Sequence, residues 1–237
     1  MAREKTYIKA EKQGTAMRIG LFGGTYNPIH LGHLRAALEV KQGFSLDDIY
    51  LIPCAIPPHH KSGHVADAKQ RYEMVRIATA NTPGFLASDV ELKRSGPSYT
   101  IDTVLHFKSV LKKDTQLYLI LGLDAFLEIE TWKSYMDLFS LIPFVILTRP
   151  YAGHKNPDDT KKKIGDFIKS KISAGYYYDS AKSGFIHPEV ESVFLANVTS
   201  LDISSSAIRS LIKKRRSTQF LVPDVVIDFI KENRLYL

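Results

Sequence analysis

Short apolar runs alternate with amphipathic segments between residues 18 and 150, and this alternation limits the possible folds more than any other feature. Short continuous apolar runs are typical of buried strands, and apolar residues spaced by three and four are typical of helices. The pattern predicts strands at 19–22, 48–53, 85–92, 116–121, 143–148 and 192–196, and helices at 31–42, 68–81, 101–112, 161–172 and 221–233. Alternating strands and helices form βαβ units. We therefore predict an α/β protein with an open parallel sheet flanked by helices and a small C-terminal helical portion.

The length of 237 residues suits one large domain or one and a half domains, with a substantial core. We expect residues 17–237 to form this domain, with 18–150 and 191–210 as its core. Residues 151–190 break the alternation and are expected to be a variable insertion, and 211–237 the C-terminal helical part. Residues 1–16 are polar and without hydrophobic periodicity, which predicts a disordered extension and makes Met17 an alternative start.

The composition favours anionic small-molecule ligands. The formal net charge is +7, and much of it lies in the basic runs 161–163 and 213–216. No RNA-binding or helix-turn-helix signature accompanies these runs, so no nucleic-acid partner is predicted. Cys54 is the only cysteine, which excludes an intrachain disulfide and favours a cytoplasmic location. No apolar run approaches the ~18 residues of a membrane span, so no membrane partner is predicted either.

The stretch GGTYNPIHLGH, at residues 23–33, joins the first predicted strand to the first predicted helix. Gly23 and Gly24 permit a sharp turn and a close approach of a ligand to the backbone. The helix that follows presents N–H groups and the positive end of its dipole, which suit a phosphate. His30 and His33 are three residues apart, so they share one face at the helix start and can donate hydrogen bonds to phosphate oxygens.

Other interpretations of this stretch are weaker. It lacks the G-x-G-x-x-G of a dinucleotide fingerprint and the G-K-[ST] of a Walker A loop. A helical zinc pair usually has its histidines four residues apart and a third ligand, so no metal site is predicted. The remaining alternative is that the two histidines only pack against or cap the helix. The strand, the glycines and the Asn-Pro turn before them favour the functional role.

Three more segments follow predicted strands, at the carboxyl end where open α/β sheets bind ligands. Residues 56–61, IPPHHK, form a proline-rich loop with cationic side chains. Residues 93–100 turn into the third predicted helix, with Ser98 or Thr100 as its candidate N-cap. Asp124 follows the strand at 116–121, where it is expected to cap the next helix, to accept hydrogen bonds from ribose hydroxyls, or to do both.

Residues 202–209, DISSSAIR, place serines at a helix start and Arg209 about one turn later. Hydroxyl and N–H groups there can bind an anion together with the guanidinium. Trp132 is the only tryptophan. A single aromatic residue is more often part of a core than a platform for a ligand, so its role stays open on composition alone.

Taken together, these segments resemble the bacterial nicotinate-nucleotide adenylyltransferases, a branch of the nucleotidylyltransferase superfamily. The shared motifs are GGTYNPIHLGH, PPHHK, ELKRSGPSYTIDT, ILGLDAF, the Thr131-Trp132 pair, TRP at 148–150, ISSSAIR and LVPDVVIDFI. They span most of residues 18–237 apart from much of 151–190. The resemblance implies a Rossmann-like fold and transfer of AMP from ATP to nicotinate mononucleotide, which yields deamido-NAD and pyrophosphate in NAD biosynthesis.

The resemblance also implies roles for individual residues. Three are expected to be catalytic and to bind the ATP phosphates: His30, His33 and Arg209. Further ATP contacts are expected from Gly23, Gly24, Thr25, Asp124, Ser205 and Ser206. Contacts with the acceptor are expected from Asn27, His59, Lys61, Ser98, Tyr99, Thr100, Trp132 and Lys133. Mg²⁺ is expected as a cofactor held mainly by the ATP phosphates and water.

Three alternative functions remain at this point. A related transferase acting on nicotinamide mononucleotide, phosphopantetheine or another phosphate would share the same core. A class I aminoacyl-tRNA synthetase uses HxGH-like chemistry, but this chain has no room for a substantial anticodon domain. A non-enzymatic nucleotide or RNA binder would explain the basic charge, and pyrophosphate release distinguishes it from the enzymes. The sequence carries no signature of an oligomeric state.

Overall fold

An eight-stranded sheet forms the centre of the structure, a computed structural model that describes residues 16–57, 65–148 and 157–237. The strands are β1 (Arg18–Gly24), β2 (Asp48–Pro53), β3 (Phe85–Ala87), β4 (Gln116–Gly122), β5 (Phe144–Thr148), β6 (Tyr177–Asp179), β7 (Gly184–Ile186) and β8 (Val193–Asn197). The helices are α1 (Leu31–Gly43), α2 (Ala68–Thr79), α3 (Thr100–Val110), α4 (Leu123–Leu127), α5 (Tyr135–Leu141), α6 (Pro157–Lys171), α7 (Ser205–Lys213) and α8 (Asp224–Glu232). None of the helices in these ranges has the length and hydropathy needed to cross a membrane.

The strand order is β3-β2-β1-β4-β5-β8-β7-β6, with β1 near the middle of the sheet. β1 pairs in parallel with β2 on one side and with β4 on the other, and β3, β5 and β8 continue this parallel arrangement. This is the topology of a Rossmann-like sheet, which confirms the predicted α/β fold. The strand order reverses between β1 and β4, so their carboxyl ends leave a crevice at that point.

The sheet is mostly rather than wholly parallel, because β7 pairs antiparallel with β8 and β6 pairs antiparallel with β7. The hairpin and α6 belong to the segment expected to be a variable insertion, and both pack onto the main sheet. Ile164, Ile168 and Tyr176 are buried there. The two hairpin strands have only three residues each, which is too short for a periodic signal, so the sequence indicated no strands in this segment.

The predicted strand at 85–92 is wrong in its second half, since β3 ends at Ala87. The Ser88 N–H makes the last bond to β2, at 3.0 Å from the Leu51 carbonyl, and local hydrogen bonds follow it. The Ser88 hydroxyl accepts from the Val90 N–H at 3.4 Å, and the Lys93 N–H donates to the Asp89 carbonyl at 3.1 Å. β2, in contrast, has the predicted bounds, and α1 differs from its prediction by one residue.

Each face of the sheet has its own hydrophobic core, because successive residues of a strand point to opposite faces. In β4, Tyr118 and Ile120 face a core shared with α1, α2, α7 and α8. Leu117, Leu119 and Leu121 face a second core, shared with α3, α4, α5 and α6. The two cores hold α1 and α7 on one side of the sheet and α3 and α4 on the other, around the ends of β1 and β4.

The second core is centred on Phe126 of α4, which is fully buried. Its ring centroid lies 6.4 Å from that of Phe139, 6.1 Å from that of Phe144 and 5.6 Å from that of Phe167. We expect Phe126→Ala to lower the free energy of unfolding by about 3–5 kcal/mol, because it removes buried apolar surface and leaves a cavity. Urea denaturation measures this loss.

The control is Leu105→Ala on α3, where the side chain is 48% exposed. Its effect should be about 0.5 kcal/mol or less. Small and equal losses in the two variants would contradict the close packing of the ring cluster.

Candidate active site

A cavity of about 590 Å³ opens at the carboxyl ends of β1 and β4, where the strand order reverses. One part of its wall is apolar and is formed by Leu21, Ile52, Val104, Leu119 and Leu121. The predicted site residues that line it are Gly23, Gly24, Thr25, Ser98, Tyr99, Thr100, Trp132 and Lys133. A concave, partly apolar space with a few polar groups at a switch point is the usual form of a nucleotide site in this topology.

Glycine occurs at this edge of the sheet for two different reasons. A Cβ atom at Gly24 would lie 3.1 Å from the Tyr26 ring, so the packing of that ring favours glycine. At Gly23 and Gly122 a Cβ atom would meet nothing within 4 Å. Packing therefore does not require glycine at these two positions, and each leaves open space beside the cavity that a ligand can use.

The two histidines stack on each other at the start of α1. His30 is the N-cap and is 4% exposed, and its ring centroid lies 3.7 Å from that of His33 with 25° between the ring planes. The backbone N–H of His30 donates to the ring nitrogen Nδ1 of His33 at 3.3 Å. A nitrogen that accepts carries no proton, so the neutral His33 ring has its proton on Nε2. This arrangement gives His33 a hydrogen-bond donor at Nε2.

The Tyr26 ring packs against this histidine pair. It is 2% exposed, and its hydroxyl donates to the Phe22 carbonyl at 2.8 Å. The ring meets the His33 ring edge-on with 5.1 Å between centroids. Burial raises the pKa of Tyr26 well above its usual value, so the phenol stays neutral at neutral pH.

The start of α7 docks on the loop that ends in His30. Ser204 is the N-cap, and its hydroxyl accepts from the Ala207 N–H at 3.1 Å, which confirms the predicted serine cap. The Ser205 hydroxyl donates to the Pro28 carbonyl at 2.8 Å. The first N–H groups of a helix have no partner within it. The docking therefore places an anion-binding helix end close to the histidine pair.

Arg209 is tied to the same loop. Its Nη1 donates to the Asn27 carbonyl at 2.8 Å, and its Nη2 donates to the Ser206 hydroxyl at 3.2 Å. The guanidinium is thus oriented by protein contacts next to the start of α7. Arg209 and Ser205 thus both contact the loop that leads into the histidine pair, and Ser206 contacts Arg209.

The contact of Asn27 with the acceptor needs correction. Asn27 is 3% exposed and does not line the cavity. Its Oδ1 accepts from the Ala66 N–H at 3.1 Å and from the Tyr236 hydroxyl at 2.8 Å, and its carbonyl holds Arg209. The side chain joins three segments that are remote in sequence. We therefore replace the predicted ligand contact by a structural role.

Arg71 is a residue of the site region that the sequence analysis missed. It is 1% exposed, and its guanidinium donates to the carbonyls of Thr25 at 2.8 Å, Ala55 at 3.1 Å and Ala66 at 2.9 Å. These bonds connect the ends of β1 and β2 to the start of α2. The signal was an arginine at a core position of the predicted helix, three residues before the buried Met74.

The start of α3 forms another part of the wall. Tyr99 is the N-cap and makes no side-chain cap, so the predicted caps at Ser98 and Thr100 are wrong. The Ser98 hydroxyl instead accepts from the N–H groups of Ala55 at 2.9 Å and Ile56 at 3.4 Å. Ser98 therefore fastens α3 to the segment that follows β2.

Trp132 and Lys133 face this helix start. Trp132 is half-buried, and Lys133 is exposed. The Lys133 ammonium lies 4.7 Å from the centroid of the Tyr99 ring and 3.5 Å from Asp102 Oδ2. The wall therefore combines two aromatic rings, a cation and a helix N-terminus, which together suit a flat ring with a negative substituent.

Three predicted site residues stand apart from the groups above. Asp124 is exposed in the first turn of α4, whose N-cap is Gly122, so its predicted capping role is wrong. Its contact with a ribose stays a prediction. His59 and Lys61 lie outside the described residues.

The chain matches a known family over most of its length. The model of the cytidylyltransferase-like family covers residues 21–211, which contain the histidine pair, the cavity and Arg209. The protein is thus a member of the cytidylyltransferase-like class.

Curated relatives narrow the assignment. Two proteins named "Probable nicotinate-nucleotide adenylyltransferase", from Desulfatibacillum aliphaticivorans and Geobacter sp. (strain M21), are 42% and 39% identical to the chain. Each alignment covers 93% of this chain, with 100% and 99% of the respective relative. The chain belongs to the nicotinate-nucleotide adenylyltransferase family.

Solved structures agree on the fold. Two structures of Plasmodium falciparum nicotinic acid mononucleotide adenylyltransferase, complexed with APC and with NaAD, superpose with TM-scores of 0.66 and 0.65. Both are 20% identical in sequence, and each match covers 93% of this chain and 97% of the other.

The hydrogen bond between Tyr236 and Asn27 allows a test of how the loop between β1 and α1 is stabilised. Both side chains are 3% exposed, and Tyr236→Phe removes only the hydroxyl that reaches Asn27 Oδ1. We expect a loss of about 1 kcal/mol of unfolding free energy, because a buried acceptor loses one of its donors. Thermal denaturation measures this loss.

Tyr177→Phe is the matched control, since this tyrosine is 57% exposed. It should leave the melting temperature unchanged. If both variants melt like the wild type, the Tyr236 hydroxyl does not brace the loop.

Proposed function

We propose that the protein is an enzyme that transfers AMP from ATP to nicotinate mononucleotide, forming deamido-NAD and pyrophosphate in NAD biosynthesis. The observation that carries the proposal is the 42% identity along the whole length of a relative that carries this activity in its name. The cavity at the ends of β1 and β4 and the histidine pair at the start of α1 support a site for the two nucleotides in this region. We also place the reaction in the cytoplasm, since a single cysteine suits a reducing compartment.

The reaction requires the two substrates to be aligned and does not require a strong base. An oxygen of the acceptor's 5′-phosphate attacks the α-phosphorus of ATP, and the bond from that phosphorus to the oxygen bridging to the β-phosphorus breaks. Pyrophosphate leaves with the electron pair. The attacking phosphate is already anionic at neutral pH, so the protein has to align two anions and stabilise the charge that moves to pyrophosphate.

On the ATP side, we assign His33 to the transferring phosphate through its Nε2–H, with His30 stacked behind it. Arg209 and the first amides of α7, at Ser205 and Ser206, would bind the β- and γ-phosphates. The Asn27 carbonyl orients the guanidinium in advance, which reduces the cost of ordering it when ATP binds. The remaining proposed ATP contacts are the backbone of Gly23, Gly24 and Thr25, and Asp124 at the ribose.

On the acceptor side, we assign the amides at the start of α3, near Tyr99 and Thr100, to the carboxylate of the pyridine ring. Trp132 would stack on the ring, and Lys133 adds positive charge beside it. Ser98 would act through the segment that it fastens. His59 and Lys61 are proposed, on the resemblance alone, for the phosphate end of the acceptor.

Mg²⁺ is proposed to arrive with ATP. Within the described ranges, no group of three or more His, Cys, Asp and Glu side chains is placed to hold a metal ion. We therefore assign no protein ligand to it and route no step through it. Mg²⁺ keeps several waters and is commonly carried by substrate phosphates, where it would neutralise part of their charge.

The acceptor assignment predicts a preference for nicotinate mononucleotide over nicotinamide mononucleotide. A carboxylate only accepts hydrogen bonds, whereas an amide also presents an NH₂ group that would face the α3 donors without a partner. This mismatch costs ~1–3 kcal/mol per buried group and predicts a kcat/KM ratio of roughly ten to a hundred. Pyrophosphate release, with the two acceptors in competition, measures the ratio.

Trp132→Ala is the matched variant for this measurement. Stacking does not distinguish the two substituents, so both acceptors should lose efficiency by the same factor and the ratio should stay unchanged. Equal efficiency of the two acceptors with the wild type would contradict the acceptor assignment and leave only the family assignment.

The phosphate assignments predict different kinetic effects for two variants. His33→Ala should lower kcat by about 10²–10³ with little change in ATP affinity, because its hydrogen bond strengthens as charge moves in the transition state. Arg209→Ala should mainly raise the KM for ATP, because it contacts phosphates that stay charged throughout. Steady-state kinetics, with ATP varied at saturating acceptor, separates the two effects.

His106→Ala is the control, since this histidine is exposed on α3. It should behave like the wild type. Wild-type kinetics in His33→Ala and Arg209→Ala would show that the reaction does not depend on this phosphate site.

A further inference from the structure

Glu91 is a buried acidic residue in the wall of the cavity. It lies between β3 and α3, is 7% exposed, and borders the apolar part of the lining near Val104. A carboxylate in such a place loses its hydration and is retained only where protein groups replace the water.

Two hydroxyl groups donate to this carboxylate. The Thr103 hydroxyl donates to Glu91 Oε1 at 2.7 Å, and a weaker hydrogen bond from the Ser98 hydroxyl also acts to lower the pKa of the carboxyl. The Thr103 oxygen in turn accepts from Arg94 Nη2 at 2.7 Å, and this guanidinium nitrogen lies 3.8 Å from Glu91 Oε1. The hydrogen bonds thus connect the Arg94 guanidinium, through the Thr103 hydroxyl, to the Glu91 carboxylate.

The ionised carboxylate fixes the direction of every bond in this network. A carboxylate can only accept, and a hydroxyl has a single proton to donate. Because Ser98 gives its proton to Glu91, its oxygen is left to accept from the N–H groups of Ala55 and Ile56. A donor in place of the carboxylate would compete with these amides for the same hydroxyl.

We propose that Glu91 is a positioning residue for the acceptor nucleotide, whose negative charge orients the Ser98 and Thr103 hydroxyls and so holds the start of α3 against the segment that follows β2. This inference rests on the proposed function. The helix start it holds carries Tyr99 and Thr100, which line the cavity. Glu91 acts through these residues rather than by touching the reacting phosphates.

The negative charge of the buried Glu91 carboxylate is unfavourable for the stability of the folded protein. Burial raises the pKa of Glu91, while the two hydroxyl bonds and the charges of Arg94 and of Arg71 from α2 oppose the rise. The other titratable groups that face it are the Cys54 thiol and the Tyr26 phenol, and burial raises the pKa of both, so they stay neutral at neutral pH.

The sign of the pH effect follows from the raised pKa. The folded protein binds the Glu91 proton more tightly than the unfolded chain, so this group favours folding at low pH and costs stability once it is ionised. Acceptor binding needs the ionised form. The kcat/KM for the acceptor should therefore fall as the pH drops through the raised pKa, although the protein does not lose stability from this group.

The test is Glu91→Gln, which keeps the shape and adds an NH₂ donor. The KM for nicotinate mononucleotide should rise by about 5- to 50-fold and the KM for ATP by about twofold or less. The melting temperature at neutral pH should be equal to that of the wild type or higher. The acidic fall in kcat/KM assigned to Glu91 should be absent from the variant.

Glu73→Gln is the matched control, because Glu73 pairs with Arg76 on the outer face of α2. It should leave both KM values and the pH profile unchanged. An unchanged acceptor KM in Glu91→Gln would overturn the proposal. So would a parallel loss of melting temperature and of all kinetic parameters, which indicates a purely structural role.

A readout without substrate separates this proposal from the proposed function. Amide hydrogen exchange at Ala55 and Ile56 should be about fivefold or more faster in Glu91→Gln, with β4 amides unchanged. If the wild type releases no pyrophosphate with nicotinate mononucleotide, the proposed function fails, and the exchange rates still decide whether Glu91 holds this wall. Unchanged exchange at both amides would overturn the role of Glu91 by itself.

Discussion

Three side chains from outside the loop between β1 and α1 donate to its carbonyl oxygens, and the site depends on these bonds. Arg71 of α2 holds the carbonyl of Thr25, Arg209 of α7 holds that of Asn27, and Ser205 of α7 holds that of Pro28. Fixing the carbonyls of Thr25 and Pro28 also fixes the N–H groups of Tyr26 and Ile29 in the same peptide planes, whereas the peptide before Pro28 has no N–H. The sheet brings α2 and α7 to the end of β1, and the loop conformation that presents the histidines follows from these contacts.

The charges around the loop favour phosphate before any ligand is present. Arg71 is almost fully buried and bonds to neutral carbonyl oxygens, so its positive charge is screened less than that of a surface arginine. Arg209 and the start of α7 add to the same potential. Glu91 lies near Arg71, where its negative charge orients hydroxyl groups on the acceptor side. Arg71, Arg209 and the start of α7 thus lie beside the loop and outside the cavity lining, whereas Glu91 is part of the lining.

The fold could be predicted because its signals are local. β2 is a continuous apolar run, and α1 is a periodic segment that begins after a glycine turn. Local patterns also predicted the histidine pair and the start of α7 as anion-binding groups, whereas Trp132 and Lys133 were assigned only by the resemblance. Asn27 was assigned to the acceptor on the resemblance alone, but the side-chain partners of its Oδ1 are 39 and 209 residues away. The role of Glu91 was not predicted, because the residue lies within the predicted strand at 85–92, where a polar residue indicates an exposed face.

The bond between Asn27 and Tyr236 also sets the order in which the protein can be completed in the cell. The two residues are separated by 209 positions, so the phosphate loop leaves the ribosome long before its last brace is made. Synthesis must pass Tyr236, and that residue must clear the exit tunnel, before Asn27 gains this donor. Until then the nascent chain carries both histidines on a loop that lacks one of its supports.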